Sequence, residues 1–189
     1  ALMRVIAGQV KGHALRGPRA RRNGPSPIRP TSDKVRGALF DMIGVEVDGA
    51  RVLDLYAGTG ALAIEALSRG AAAAELVEND PEALRLIAAN LEHTRLTSRA
   101  TVVRRRVEAA LPSLSGLYDL VLADPPYADV GLIPVLAEIA RRGLVRQRGL
   151  VAIEHASRVP APEAIEQLRL LKSRRHGDTT ISLYRVEPA

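Results

Sequence analysis

Cysteine is absent from the 189 residues, which excludes a disulfide scaffold, thiol catalysis and a metal held by cysteine. Long apolar runs are absent too, since none reaches the roughly 18 residues that a membrane helix needs. The first residues lack a basic start followed by an apolar stretch, so we expect no signal peptide. The four histidines show no ligand spacing, so we expect no metal site. Together these absences favour a cytoplasmic protein with no membrane partner.

The composition is that of a folded, soluble protein, because 47% of the residues are hydrophobic and 25% are charged. The length suits one domain with a small appendage. Nothing in the sequence indicates an obligate dimer, so we expect a monomer.

The excess of basic over acidic residues is confined to the start of the chain. Residues 1–36 hold nine basic residues and one acidic residue, whereas the other 153 residues hold 18 basic and 20 acidic. A near-neutral body with a basic arm is typical of nucleic-acid binders, although charge alone fits a solvated tail equally well. We therefore predict a hairpin and arm over 1–36 that would bind nucleic acid, and a second domain over 37–189. The predicted RNA-binding residues are Arg4, Lys11, Arg16, Arg19, Arg21, Arg22, Arg29 and Arg36.

The basic segment divides into three parts. Residues 3–15 alternate loosely around two glycines and predict a short hairpin. Residues 16–30 contain four prolines and two glycines, which predict a loop. Thr31 or Ser32 then caps a helix whose apolar residues recur at helical spacing from Val35 to Ile43.

From residue 51 onward, strand patterns alternate with helix patterns. Repeated units of this kind predict an α/β fold with a mostly parallel sheet and helices on both faces. A closing hairpin, with its turn at Gly177 and Asp178, adds one antiparallel strand. The seven predicted strands are 51–55, 74–78, 100–104, 118–123, 150–154, 168–175 and 180–186, and the helices are 60–69, 81–94 and 131–141.

The first chemical motif, DLYAGTG at 54–60, lies between a strand and a helix. Gly58 and Gly60 allow a tight turn and a close approach of the backbone to a ligand. Glu78 follows Gly58 by 20 residues, at the end of the next strand. That spacing is typical of a nucleotide-type site in which the carboxylate accepts both hydroxyls of a ribose.

Asp54 favours one class of ligand. A carboxylate there would repel the pyrophosphate of NAD, whereas it would attract a cation. S-adenosylmethionine (SAM) has a ribose, a sulfonium and an ammonium but no phosphate. Asp54 and Glu78 together therefore favour SAM over NAD.

The second motif is Asp124-Pro125-Pro126-Tyr127, after the fourth strand of the body. The two prolines end the strand and make a rigid loop. The Asp124 carboxylate and the Pro125 carbonyl can accept the two N–H groups of an exocyclic amine while the base stacks on Tyr127. Glu154 and His155 end the next strand, and the pattern assigns them no role.

The chain also contains three N-terminal segments, RVIAGQVKG at 4–12, RPTSDKVR at 29–36 and ALF at 38–40. Through these segments and the two motifs above, the chain resembles the RsmD family over about residues 4–186. That family methylates N2 of a guanine in 16S ribosomal RNA. The resemblance implies a Rossmann-like class I methyltransferase fold, SAM as cofactor and 16S rRNA, within the small subunit or an assembly intermediate, as partner. It implies that Asp54, Gly58 and Gly60 line the methionine end of SAM, that Glu78 holds the ribose and that 124–127 hold the base.

The predicted cofactor site also includes Tyr56, Asn79, Val107 and Glu108. Related enzymes often carry a small polar or acidic residue near the adenine amine, where this chain has Arg106. An arginine cannot accept a hydrogen bond from that amine, so either Glu108 or the backbone makes the contact.

Three alternatives remain open at the level of sequence. An NAD-dependent oxidoreductase explains the glycine loop but not the diproline loop or the basic arm. A DNA adenine or cytosine amino-methyltransferase explains the catalytic residues, but such enzymes usually carry a separate target-recognition region. A non-catalytic RNA-binding module leaves the pocket without a use.

Overall fold

The computed structural model describes residues 3–18, 31–126 and 131–188. The predictions for Arg19, Arg21, Arg22, Arg29 and Tyr127 lie outside these residues. At the N-terminus, β1 (Met3–Arg4) and β2 (Ala14–Leu15) pair antiparallel, with Met3 opposite Leu15, which confirms the predicted hairpin.

The body is built on one sheet with the strand order β5-β4-β3-β6-β7-β10-β9-β8. Its strands are β3 (Arg51–Leu55), β4 (Ala73–Glu78), β5 (Ala100–Arg104), β6 (Tyr118–Ala123), β7 (Val145–Ala156), β8 (Ala164–Ile165), β9 (Leu168–His176) and β10 (Thr179–Val186). The helices are α1 (Asp33–Ile43), α2 (Ala61–Ser68), α3 (Pro81–His93), α4 (Val107–Ala110) and α5 (Leu132–Arg141). In the described ranges, no helix is long and apolar enough to cross a membrane.

The sheet differs from the prediction in two places. It has eight strands in the described part of the chain rather than seven, because the two-residue β8 pairs with β9. A two-residue strand is too short to leave an alternating pattern in the sequence. In addition, β7 begins at Val145, five residues before the predicted start at Leu150.

Strand direction follows the predicted α/β plan. The strands from β5 to β7 are parallel, and β10 runs antiparallel between β7 and β9. Because successive side chains of a strand point to opposite faces, each strand contributes to two cores. Val52 and Leu122 pack with α1, α2 and α3, whereas Leu53 and Val121 pack with α4 and α5.

Helix α1 forms as its sequence predicts. The Ser32 hydroxyl accepts a hydrogen bond from the amide of Val35 at 3.2 Å and caps the helix, and Gly44 ends it at a φ of 64°. The apolar stripe faces the core, where Leu39 and Phe40 are buried. The predicted boundary between 1–36 and 37–189 falls inside this helix.

Arg36 corrects one sequence prediction. It was assigned to RNA binding, but its side chain is completely buried, so it cannot reach a phosphate. It forms ion pairs with Asp33 at 2.9 Å and with Glu65 at 3.7 Å, and it donates to the carbonyl of Arg4. A buried guanidinium requires such partners because an unpaired charge is strongly disfavoured away from water.

Glu65 is the centre of the buried cluster that holds the N-terminal hairpin on α2. Its two carboxylate oxygens accept from the amides of Ile6 at 2.9 Å and Ala7 at 3.0 Å, and it pairs with Arg69 at 2.8 Å. Gly8 follows at a φ of 84°, where an added Cβ would lie 1.9 Å from the carbonyl oxygen of Ser68. The hairpin can therefore approach α2 this closely only with glycine at position 8.

We expect Glu65→Ala to lower the free energy of unfolding by about 3–5 kcal/mol, because it removes one of the two carboxylates that neutralise the buried Arg36 and the acceptor of two backbone amides. Guanidinium chloride unfolding measures this loss. Glu138→Ala, which removes partly exposed ion pairs to Arg141 and Arg142, is the control and should cost no more than about 1 kcal/mol. Equal losses in the two variants would contradict a central role for the cluster.

Candidate functional site

A cavity of about 440 Å³ opens where the parallel strands end. This size is ordinary for a site that binds a small molecule. Its walls come from the loops after β3, β4 and β6, the end of β7, the start of β10 and the N-terminus of α1. The carboxyl ends of neighbouring strands are where open α/β sheets bind ligands, as the sequence predicts.

Three carboxylates line this cavity, Glu78, Asp124 and Glu154, and the predicted cofactor residue Asp54 lies buried behind the lining. Asp54 on β3 pairs in register with Leu76 on β4 and with Leu122 on β6, and Leu122 pairs with Ala152 on β7. Two residues further along each of these neighbouring strands come Glu78, Asp124 and Glu154. Since side chains two residues apart share a face of the sheet, all four acids lie on the face covered by α1, α2 and α3.

Asp54 is the deepest of the four and is completely buried. Its Oδ2 accepts from the amide of Ala63 at 3.1 Å, in the first turn of α2, whereas no described group donates to Oδ1. Burial raises the pKa of Asp54 well above its ordinary value, and the charges of Asp124 and Glu78 raise it further. A cation bound in the cavity would oppose these effects, although Asp54 itself does not line the cavity.

The glycine loop that follows Asp54 bends sharply. Tyr56, Gly58 and Gly60 all have left-handed backbone conformations, with φ values of 60°, 58° and 79°. Tyr56 carries a side chain in this conformation, which is a strain of the kind found at functional sites. Burial and the charge of Glu108 raise the pKa of Tyr56 to about 12, so its hydroxyl stays neutral.

Glu78 links the two loops beside the glycine turn. Its Oε2 accepts from the amide of Gly58 at 2.9 Å, and its Oε1 accepts from the amides of Asn79 at 2.8 Å and Asp80 at 2.9 Å. A carboxylate has about four acceptor positions, so the described contacts leave one, on Oε2. The predicted contact with both ribose hydroxyls is thus reduced to one hydroxyl in this arrangement.

A residue just before α1 makes a hydrogen bond to the diproline loop. Asp124 is half-buried, and its Oδ2 accepts from the Thr31 hydroxyl at 2.9 Å. Pro125 is buried and Pro126 is exposed at the cavity wall. Thr31 lies 93 residues from Asp124 in the chain, so no local pattern could have revealed this contact.

The structure does not bring every predicted cofactor residue to the cavity. Gly58, Glu78 and Asn79 line it, and Tyr56 lies on the same wall. Gly60 lies behind the loop, where an added Cβ would meet Leu76 and Ile87 at 3.4 Å.

The predicted adenine contacts lie outside the cavity lining. Val107 is buried in the core that includes Leu53. Glu108 is exposed and pairs with Arg106 at 3.9 Å.

The cavity residues that were not predicted as site residues include the polar side chains of Glu154, His176 and Thr179. Glu154 is only 8% exposed. The signal for Glu154 was available, since it ends the predicted strand 150–154 and has the same position in the alternation as Asp124. Recognising it required the pairing of β6 with β7. In the described part of the chain, no cluster of His, Asp and Glu could hold a metal ion.

Three of the predicted RNA-binding residues, Arg4, Lys11 and Arg16, are exposed on the hairpin and at its end. The side chain of Asn90 on α3 holds the backbone of Arg16, accepting from its amide at 2.7 Å and donating to its carbonyl at 3.0 Å. This contact fixes the point at which the basic arm leaves the body.

Comparison with known proteins gives consistent similarities over nearly the whole chain. A family model described as "Conserved hypothetical protein 95" matches residues 3–185. YlbH of Bacillus subtilis, a candidate rRNA methyltransferase, is 36% identical over 187 residues, which cover 97% of this chain and 98% of that protein. Ribosomal RNA small subunit methyltransferase D of Escherichia coli is 31% identical over 186 residues, covering 98% of this chain and 90% of that protein.

Solved structures agree with the sequence matches. The structure of a candidate methyltransferase from Escherichia coli aligns over 100% of both chains, with a TM-score of 0.85 and 30% identity. Together with the family match and the relatives above, this similarity makes the chain a member of the RsmD family, with the Rossmann-like fold of class I methyltransferases.

Proposed function

We propose that this protein transfers a methyl group from SAM to the exocyclic N2 amine of a guanine in 16S ribosomal RNA. Membership of the RsmD family supports the broader activity, methylation of small-subunit rRNA. The observation that carries the finer proposal is the row of carboxylates beside the diproline loop, because it favours ligands with positive charge or N–H donors. Both the donor and the amine of the target base have these properties.

SAM supplies an activated methyl group on a sulfonium. Asp54 suits its cationic methionine end because Asp54 is buried and its Oδ1 receives no described donor. Glu78 is fixed by three backbone amides and keeps one acceptor position for a ribose hydroxyl. The same carboxylates disfavour NAD, since its pyrophosphate would lie beside them without a compensating charge.

Asp124 and the carbonyl of Pro125 act on the target base. The lone pair of guanine N2 is delocalised into the ring, so the amine is a weak nucleophile. Two acceptors on its N–H groups stabilise the positive charge that develops on nitrogen during attack. Thr31 holds Asp124 in place, which lowers the reorganisation needed when the base arrives. The proton leaves after transfer, to Asp124 or to water.

The target guanine must be unpaired or flipped out, because a base inside a helix cannot enter a cavity. The exposed cations of the hairpin and arm would hold RNA phosphates without selecting a sequence. We propose that a monomer acts on 16S rRNA within the small subunit or an assembly intermediate.

We expect Asp124→Asn to lower methyl transfer about 100-fold or more, because an amide group replaces one of the acceptors that stabilise the transition state. Calorimetry should find SAM affinity nearly unchanged, since Asp124 faces the base. The matched control is Asp41→Asn, an exposed position on α1. A parallel loss of SAM binding, or transfer at the wild-type rate, would refute the assigned role.

We expect Asp54→Asn to weaken SAM binding about 30-fold or more, or about 2 kcal/mol, through loss of a buried charge partner.

The effect of Asp54→Asn on the stability of the ligand-free protein should depend on pH. The pKa of Asp54 is raised in the folded state, so the wild type loses stability as pH rises from about 3.8 through that raised pKa, and the variant does not. Denaturant unfolding at pH 5 and pH 8 measures the free energy of unfolding of the wild type and of the variant. If the difference between the two proteins is the same at both pH values, the expectation is wrong.

We expect charge reversal at Arg19, Arg21 and Arg22 to weaken RNA binding and to reduce its dependence on salt. Each phosphate contact that is lost should flatten the plot of log affinity against log salt concentration by about 0.7–0.9. Reversal of Arg141 and Arg142 on α5 controls for net charge, as these residues pair with Glu138 and are not predicted to bind RNA. An unchanged slope in the arm variant would remove these arginines from the interface.

A further inference from the structure

Glu154 is the cavity carboxylate to which the proposed function gives no role. The register places Leu122 opposite Ala152, so Asp124 and Glu154 follow at the same level on adjacent parallel strands. Adjacent strands lie about 4.8 Å apart, and both side chains lie on the same face of the sheet. Glu154 is therefore the immediate neighbour of Asp124.

The strand order separates Glu154 from the donor side of the cavity. Glu78 ends β4 and Asp54 lies on β3, whereas Asp124 directly follows β6 and Glu154 lies near the end of β7. Asp124 thus lies between the proposed SAM site and Glu154. A base whose amine contacts Asp124 would extend toward Glu154, where Thr179 and His176 complete the wall.

The burial of Glu154 beside Asp124 has an electrostatic cost. Glutamate is rarely as buried as this residue, which is 8% exposed, and two neighbouring carboxylates destabilise each other when both are charged. A ligand that presents several N–H donors along one edge can contact two neighbouring carboxylates at once. The wall between β6 and β7 is therefore complementary to a donor-rich edge.

Guanine presents such an edge, since its N1–H lies next to its N2 amine. Adenine has an unprotonated N1 beside its amine, and cytosine has an unprotonated N3 beside its amine. A carboxylate opposite either of those ring nitrogens would place two acceptors in contact, which is repulsive.

We propose that Glu154 accepts the N1–H of the target guanine and thereby determines which base is methylated. The inference rests on the proposed function, because it takes the substrate to be a guanine whose N2 contacts Asp124. Glu154 acts here as a specificity-determining residue, and Asp124 remains the group that acts on the reacting amine.

The test compares guanine with 2-aminopurine, which keeps the N2 amine but has no N1–H. Mass spectrometry of nucleosides first identifies the guanine in 16S RNA that the wild-type protein methylates. If no N2-methylguanosine forms, the proposed function itself fails. The RNA is then rebuilt by ligation with guanine or 2-aminopurine at that nucleotide, and kcat/KM is measured for both.

The wild type should prefer guanine about 100-fold or more, because a site built to accept an N–H rejects an analogue that lacks it. Glu154→Gln should lower the rate on guanine and narrow the preference to less than about tenfold, since the amide nitrogen can donate to the bare N1 of 2-aminopurine. Equal rates on both bases for the wild type would overturn the proposal, as would an undiminished preference in Glu154→Gln.

Two further variants separate recognition from structural damage. Glu154→Asp keeps an acceptor-only group, so it should methylate guanine more slowly but keep the preference for guanine over 2-aminopurine. If Glu154→Asp narrows that preference as far as Glu154→Gln does, the proposal is wrong. Glu166→Gln, on an exposed turn at the opposite edge of the sheet, should behave as the wild type. Calorimetry should find SAM affinity preserved in every variant, and its loss in Glu154→Gln would place Glu154 on the donor side and refute the inference.

Discussion

Repulsion between carboxylates at the carboxyl ends of the parallel strands is the constraint on which the candidate site depends. Parallel pairing of β4, β3, β6 and β7 brings four acids to the same face, and burial keeps Asp54 out of water. Backbone amides hold Glu78 and Asp54 in place, but they supply no full positive charge. The cavity is therefore prepared for a ligand that brings cationic charge at one end and N–H groups at the other.

The N-terminal segment is part of this site rather than a separate attachment. Met3, Val5 and Leu15 belong to the same core as α2 and α3, and Glu65 fixes the hairpin to α2. Helix α1 then brings Thr31 to the carboxylate of Asp124. The N-terminal end of α1 is thereby in direct contact with the proposed catalytic residue.

Local sequence patterns predicted the site better than they predicted contacts between distant segments. The strand ends at Asp54, Glu78 and Asp124 were recognisable because apolar strands followed by glycine or proline have few alternatives. Arg36 was misassigned because helical spacing cannot reveal a buried partner such as Glu65. The acceptor role proposed for Glu154 also depended on strand order, which local alternation does not determine.

A crystal structure with S-adenosylhomocysteine, the demethylated donor, tests the division of the cavity most directly. The account predicts a ribose hydroxyl within hydrogen-bond distance of Glu78, the ammonium of the ligand on the side of Asp54, and open space between the ligand sulfur and the wall formed by Asp124 and Glu154. A ligand that filled the space beside Glu154, or that bound without contact to Glu78 and the glycine loop, would contradict it.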